Sequence, residues 1–273
     1  MRRLGSSRLG STALSLALVG VITLAAVAGP LLVAAAVVLV QLLIAAAPSP
    51  ADSRGRLIHA PRFAAAASAG LVATVLTLWP GLLEGADGST ADVSGTVGTG
   101  LLGGIIPAIA VGIFVAMVSQ MLRKDGRPHL VPSIGYAVSL GVFAAMSVGW
   151  IGATQSLGDW QAVAIGAAGV AGGLLAWMVP IDRWVCGALA VVTGAAAGAA
   201  AALAVDSVMT WLFGVVIGSG ASLFAVLGQA LGRTWSQGRA HASAGWGFPG
   251  VMSIALAAPI VYVGGQLVGA RGF

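Results

Sequence analysis

The residues with the clearest capacity for chemistry lie between the last two apolar segments of the chain. Arg233, Arg239 and His241 belong to a polar loop there, with Trp235 and Trp246 beside them. Arginine and protonated histidine donate hydrogen bonds to phosphate oxygens, so this loop is a candidate site for an anionic group. Carboxylates, which bind divalent metals, are absent from the chain after residue 206.

Two further basic positions are candidates for the same chemistry. Arg123, Lys124 and Arg127 form the densest basic cluster, and Arg183 directly precedes another apolar segment. These side chains could grip a phosphate group. Basic residues at such positions also anchor the topology of membrane proteins, so both interpretations stay open.

The composition indicates what must position these residues. The chain of 273 residues is 58% hydrophobic and only 8% charged, whereas a soluble domain is about a quarter charged. Its mean hydropathy is +1.00. These values predict an all-α, polytopic integral membrane protein that forms a single transmembrane domain over residues 1–273. The net charge of +5 then suits anionic lipid head groups as partners, and we expect no nucleic acid partner.

The apolar runs predict about nine transmembrane helices. The first run, residues 11–47, is nearly twice the length of one span, and Gly29 and Pro30 interrupt it. We predict a helical hairpin over 11–47, with one long kinked helix as the alternative. Three central spans follow within 63–150 and four more within 161–270; the runs are 63–83, 99–122, 130–150, 161–179, 184–204, 207–231 and 247–270.

Charge distribution decides between the hairpin and the single helix. With the hairpin, twelve of the thirteen Lys and Arg residues fall on one side of the membrane, and only Arg271 falls on the other. With a single helix, the first three basic residues would oppose the next nine. The positive-inside rule therefore predicts the hairpin, with the N-terminus in the cytoplasm. Twelve Arg against one Lys suggests a GC-rich genome, and we expect the plasma membrane of a bacterium.

Several smaller features complete the expectations. Glycines four residues apart, as in Gly194 and Gly198 or Gly214 and Gly218, predict a tightly packed bundle or a dimer face, although 41 glycines also produce such pairs by chance. We expect residues 48–62 to be a solvated connector. The single Cys186 is expected in the core, and no cluster of metal ligands occurs, so no cofactor is predicted. No ionisable residue lies at the middle of a span, which argues against an ion-coupled pump.

The C-terminal half resembles the phosphatidate cytidylyltransferases, or CDP-diacylglycerol synthases. Asp159-Trp-Gln-Ala162 is similar to the Asp-x-x-Ala motif of that family, and residues 179–184 lie where its Ser-Pro-Lys-Lys-Thr motif would follow. Gly220 is expected to open the penultimate helix. Ser253-Ile-Ala-Leu-Ala-Ala-Pro259, with Tyr262, resembles the family's last helix. The resemblance implies a lipid-binding membrane fold and dimerisation.

The departures from the family concern its metal ligands. Residues 249–252 read Pro-Gly-Val-Met where the family has Asp-Arg-x-Asp, Ala221 replaces the aspartate of its Gly-Asp-Leu motif, and Ile181 and Asp182 replace two lysines. Nucleotidyl transfer needs Mg²⁺ held by carboxylates, so we expect a divergent relative without synthase activity that retains phospholipid head-group contacts.

Three other interpretations stay open at this point. The chain could be a small-molecule transporter or permease subunit, or a structural partner of another membrane protein. An active synthase would need Mg²⁺ and would have to take its carboxylates from Asp52, Asp125 or Asp182.

Overall fold

A computed structural model of the chain describes residues 2–49, 58–83, 103–124, 129–156, 159–205, 210–236 and 247–270. These residues form helices and contain no strand, which confirms the all-α prediction for the part of the chain described. The helices are α1 (Arg2–Ala28), α2 (Pro30–Ala45), α3 (Arg62–Leu78), α4 (Ile105–Met121), α5 (Leu130–Met146), α6 (Gly149–Thr154), α7 (Asp159–Trp177), α8 (Arg183–Ala204), α9 (Trp211–Ser236) and α10 (Phe248–Ala270).

Six helical segments are long and apolar enough to cross a membrane, as a multi-pass membrane protein requires. They are Leu9–Ala28, Leu130–Thr154, Asp159–Trp177, Arg183–Ala204, Trp211–Trp235 and Phe248–Leu267. The apolar helices α2, α3 and α4 are shorter, with 16 or 17 residues each. At about 1.5 Å per residue they reach roughly 24–26 Å, slightly less than a bilayer core of about 30 Å.

The first apolar run breaks at Gly29, as its sequence predicts. α1 ends at Ala28 and α2 begins at Pro30. Gly29 has a φ of 121°, a conformation that residues with a Cβ rarely adopt. Pro30 suits the first position of a helix, where its missing N–H has no partner to lose.

Two predicted spans are interrupted in the structure. The run 63–83 is helical only to Leu78, and a short 3₁₀ turn, Pro80–Leu83, follows Trp79. Pro80 explains the break, because a residue before proline is disfavoured in the α conformation. The run 130–150 is interrupted after Met146 and resumes as α6, which continues to Thr154.

Contacts at one end of the bundle bring the start of α1 and the end of α2 to the same level. Gln229, near the end of α9, donates to Thr12 Oγ1 in the first turns of α1. Trp235, at the end of α9, packs against Tyr136 in α5 with the two rings tilted by 43°. The Tyr136 hydroxyl donates to the carbonyl of Pro48, just after α2. α1 and α2 therefore run in opposite directions.

The described basic residues lie at this same end. Arg62 begins α3, Arg123 and Lys124 follow α4, and Arg233 is in the last turns of α9. α8 and α9 are antiparallel, because Gly198 contacts Gly214 and Gly194 contacts Gly218. Arg183, the first residue of α8, therefore lies at the end of the bundle where α9 ends. We call this part of the molecule the basic end.

The opposite end is formed by the other helix termini. The start of α4 meets the end of α3 where Gly104 contacts Leu76, and the end of α6 meets the end of α10 where Gly152 contacts Tyr262. Gly265 of α10 contacts Ser156, which follows α6.

The last helix, α10, is the centre of the bundle. Of the six long segments it is the most enclosed, with 83% of its span buried. Trp150 of α6 is fully buried and its Nε1 donates to the Ile254 carbonyl at 3.0 Å. The next carbonyl along the helix, that of Ala255, accepts no hydrogen bond from the residue four positions later, because that residue is Pro259 and has no N–H.

The predicted small-residue pairs lie at helix contacts within the chain. A Cβ at Gly218 would lie 2.3 Å from the Gly194 carbonyl oxygen, and one at Gly169 would lie 2.5 Å from Gly218 Cα. On the other side of α9, a Cβ at Gly228 would lie 2.5 Å from the Met252 oxygen. The tightly packed bundle is confirmed, and close backbone approach between helices explains these glycines.

Large apolar side chains remain exposed on the outside of the bundle. Phe114, Met117 and Met121 of α4 and Val185 and Val192 of α8 are examples. Such a surface would be unfavourable in water and suits a lipid environment.

Candidate functional site

The basic end contains two arginines that are each held by a glutamine three or four residues earlier in the chain. Arg233 Nη2 donates to Gln229 Oε1 at 2.7 Å. Gln229 is fully buried, and its Nε2 donates to Thr12 Oγ1 of α1 at 3.3 Å. The amide thus links α1 to α9 and fixes the position of the Arg233 guanidinium.

Arg123 has the same arrangement at the end of α4. Its Nη1 donates to Gln120 Oε1 at 2.7 Å, and Gln120 Nε2 donates to Ser133 Oγ of α5 at 2.6 Å. Gln120 and Ser133 are both buried. A guanidinium held in this way loses less side-chain entropy when it binds an anion than one on a free side chain.

The connector before α3 is packed against this arrangement. The carbonyl oxygen of His59 accepts hydrogen bonds from Arg123 Nη1 at 3.1 Å and from Ser133 Oγ at 2.7 Å. Ile58 and Ala60 are buried, whereas the His59 side chain is exposed. The prediction of a solvated connector is therefore wrong for residues 58–60, because their backbone is tied to α4 and α5.

Arg62 lies where this connector enters α3. Its Nη1 donates to Ser49 Oγ. Its Nε is buried and has no hydrogen-bond partner among the residues that the structure describes. A buried donor without an acceptor is unfavourable.

Two aromatic contacts fasten the end of α9 to α5. The ring of Trp235 lies 5.6 Å from that of Tyr136 and 5.7 Å from that of Phe143, measured between centroids. The last turn of α9, which carries Arg233, is thereby held beside the helix that Gln120 contacts.

Arg183 and Lys124 are at the basic end but are more exposed than the two anchored arginines. Asp182, beside Arg183, caps α8: its Oδ1 accepts hydrogen bonds from the backbone of Trp184 at 2.9 Å and of Val185 at 3.4 Å. This carboxylate satisfies helix N–H groups, which is a structural role. The candidate residues Arg127, Arg239 and His241 lie outside the described residues, as do Trp246, Asp52 and Asp125.

The motif residues of the cytidylyltransferase resemblance have clear positions. Asp159 is the first residue of α7. Gly220, in contrast, lies inside α9, which begins at Trp211, so the expectation that it opens the penultimate helix is wrong. The sequence from Trp211 to Gly220 is mostly apolar and contains no proline or charged residue that would end a helix.

Residues 249–252, which the resemblance aligns with the metal-binding motif of the cytidylyltransferases, lie inside the protein. Pro249, Gly250, Val251 and Met252 form the first turn of α10 and are buried. A Cβ at Gly250 would lie 2.4 Å from the Ser11 oxygen of α1. Within the described residues, no group of three or more His, Cys, Asp or Glu side chains could hold a metal ion. Cys186 is buried, as expected for a core residue.

Sequence reasoning missed Arg62, Gln120 and Gln229. For the two glutamines, the available signal was an amide inside an apolar helix, three or four residues before an arginine, since that spacing brings both side chains to one side of a helix. For Arg62 the sequence offered no comparable signal.

No family model, curated protein or solved structure matches the chain. The cytidylyltransferase resemblance therefore stays a hypothesis supported by sequence motifs alone.

Proposed function

We propose that this chain is an integral membrane protein of nine spans that binds the phosphate-bearing head groups of anionic phospholipids at its basic end. The observation that carries the proposal is convergence: Arg62, Arg123, Lys124, Arg183 and Arg233 come from four separate parts of the sequence and reach one end of the bundle. The positive-inside rule assigns that end, and the N-terminus, to the cytoplasm of a bacterial plasma membrane.

The chemistry of the site supports a phosphate ligand. Two of its arginines are oriented by buried glutamines, and arginine binds phosphate oxygens through two parallel N–H groups. A basic residue near an anionic membrane surface contributes about 1 kcal/mol of attraction. Arg127, Arg239 and His241 follow Lys124 and Arg233 closely in the sequence, and we include them in the proposed site.

We further propose that the protein is a divergent relative of the cytidylyltransferases without synthase activity. Buried apolar residues replace the family's metal-binding aspartates at 249–252, and Asp182 is occupied in capping α8. Mg²⁺ would be required only by an active enzyme.

The test measures the affinity of the purified protein, in detergent micelles, for phosphatidate and for phosphatidylcholine. We expect a clear preference for phosphatidate, and at least a severalfold loss of phosphatidate affinity in the double variant Arg233→Ala with Arg239→Ala, because charge-assisted hydrogen bonds are removed. Arg271→Ala, the basic residue that the charge distribution assigns to the other side of the membrane, is the matched control. Equal affinity for the two lipids would refute the proposal.

The same preparation tests for catalysis. We expect no CDP-diacylglycerol from phosphatidate and radiolabelled CTP with Mg²⁺, beside a known synthase as positive control. Clear turnover would show that the chain coordinates magnesium with other carboxylates.

A further inference from the structure

We infer that two helix breaks, which lie against each other inside the bundle, form one hinge about which α6 and the last part of α10 move together. One break separates α5 from α6 at Ser147 and Val148, and the other is Pro259 of α10. We call α6 and residues 260–267 the hinged unit. It forms part of the end opposite to the basic end, so the inference does not depend on any ligand of the basic residues.

Both helices lose regular hydrogen bonds at these breaks. Pro259 has no N–H, so one helical hydrogen bond of α10 is absent. Between α5 and α6, Val148 N donates to the Ala145 carbonyl and Trp150 N to the Ser147 carbonyl, each at 3.3 Å. These bonds reach back three residues instead of four and are long for N–H···O bonds. Prolines and turns of this kind are the usual places where helices bend.

The two breaks are in direct contact, and α6 then runs beside α10. A Cβ at Gly149 would lie 2.5 Å from the Ala258 carbonyl oxygen and 2.9 Å from Pro259 N. One turn further, a Cβ at Gly152 would lie 2.8 Å from the ring of Tyr262. Such close packing leaves little room for α6 to slide along α10, so we expect the two segments to move as one body.

The half of α10 before the hinge is held by backbone contacts. A Cβ at Gly228 of α9 would lie 2.5 Å from the Met252 carbonyl oxygen. Ser253 Oγ lies 3.0 Å from Ser15 Oγ of α1. Backbone packed against backbone cannot adjust without separating the helices. Residues 248–258 are therefore fixed to α1 and α9.

The half of α10 after the hinge touches α7 and α9 through side chains. A Cβ at Gly220 of α9 would lie 2.7 Å from Ile260 Cγ2, and one at Gly166 of α7 would meet the Val261 methyl groups. Side chains can change rotamer, so this half can shift while the first half stays in place. Pro259 thus separates a fixed half of α10 from an adjustable half.

A buried hydrogen bond holds the hinged unit against the fixed half. Trp150 Nε1, in α6, donates to the Ile254 carbonyl at 3.0 Å, and both residues are fully buried. Loss of this bond would release α6 and residues 260–267 together. Bending at the hinge would then loosen the opposite end of the bundle and leave the hydrogen bonds of the basic end unchanged.

The test is hydrogen–deuterium exchange of the full-length protein in lipid nanodiscs, followed by mass spectrometry. Pro259→Ala restores a helical hydrogen bond, so exchange in residues 260–267 should slow about two- to tenfold. Exchange in residues 149–156 should slow with it, although the substitution lies in another helix. Pro107→Ala is the matched control and should change neither segment, because Pro107 is in the first turn of α4, where N–H groups have no helical acceptor.

A second variant tests the hydrogen bond that holds the unit and remains informative if Pro259→Ala does not fold. Trp150→Phe keeps an aromatic ring but removes the donor, so exchange in both segments should speed up about two- to tenfold. Trp177→Phe is the matched control, since the buried Trp177 Nε1 has no hydrogen-bond partner within the described part of the chain. Circular dichroism identifies any variant that fails to fold.

Three outcomes would overturn the hinge. Exchange that changes in 260–267 but stays constant in 149–156 would show that the two segments move independently. Faster exchange after Pro259→Ala would show that the bend is a fixed requirement of packing. Equal effects of Trp150→Phe and Trp177→Phe would show that the Trp150 hydrogen bond does not hold the unit.

Discussion

Three fully buried glutamines each cross a helix interface with a hydrogen bond. Gln120 and Gln229 reach Ser133 and Thr12, and Gln41 of α2 reaches three acceptors on α3 and α5. Inside a bilayer no water competes for these groups, and an interhelical hydrogen bond contributes about 0.6 kcal/mol on average and up to roughly 2 kcal/mol. Each amide therefore favours one rotation of its helix.

Gln41 provides the clearest test of this role. Its Nε2 donates to Thr74 Oγ1 at 2.9 Å and lies 3.3 Å from both the Ala144 carbonyl oxygen and Ser147 Oγ. Gln41→Leu should lower the free energy of unfolding by about 1–2 kcal/mol, because several polar groups lose a partner at once. Denaturation by SDS in mixed micelles, followed by circular dichroism, measures the change.

Gln161→Leu is the matched control for Gln41→Leu. Gln161 is partly exposed near the start of α7, and its replacement should change stability by about 0.5 kcal/mol or less. Equal losses in the two variants would contradict a specific role for the buried amide.

At the scale of helices, the contact between α8 and α9 depends on glycine. A Cβ at Gly218 would meet backbone atoms of Gly194 and Gly198 at 2.3 and 2.9 Å, and backbone cannot move aside without separating the helices. Gly218→Ala should therefore cost about 1–3 kcal/mol of unfolding free energy.

Gly187 of α8 supplies the control with the same chemical change. No atom lies within 4 Å of a Cβ added there, so Gly187→Ala should stabilise the helix by about 0.5–1 kcal/mol. The two substitutions should therefore change the free energy of unfolding in opposite directions. An increase in Gly218→Ala would show that α8 and α9 are not in close contact.

Trp235 is the aromatic link between α9 and α5. Its contacts with Tyr136 and Phe143 should each contribute about 0.5–1.5 kcal/mol, so Trp235→Ala is expected to cost about 1–3 kcal/mol. Trp184, which is 88% exposed, is the comparison, and Trp184→Ala should leave the unfolding free energy within about 0.5 kcal/mol. Similar effects of both variants would argue against the link.

At the scale of the whole molecule, the proposed topology predicts which end of the bundle faces the cytoplasm. In a Cys186→Ala background, Lys124→Cys reports on the basic end and Leu82→Cys on the opposite end; both parent side chains are exposed. We expect an impermeant maleimide to label Leu82→Cys in intact cells and Lys124→Cys only after permeabilisation, because basic loops are retained in the cytoplasm. The reverse pattern would reject the proposed orientation.

Much of the architecture follows from local sequence. Apolar runs end where charge or proline begins, so the predicted bounds of α8 and α10 agree with the structure to within a residue. Gly29 and Pro30 marked the break between α1 and α2 because their backbone preferences act locally. The same local rule, applied to Pro80, would have shortened the run 63–83 correctly.

Local sequence was enough to predict the class of protein, the position of most helices and the grouping of basic residues between alternate apolar runs. It was not enough to predict which face of each helix is buried, or that Gln120 and Gln229 hold Arg123 and Arg233. A helix that is apolar all round has no strong amphipathic signal, so its rotation about its own axis is set by contacts with neighbouring helices.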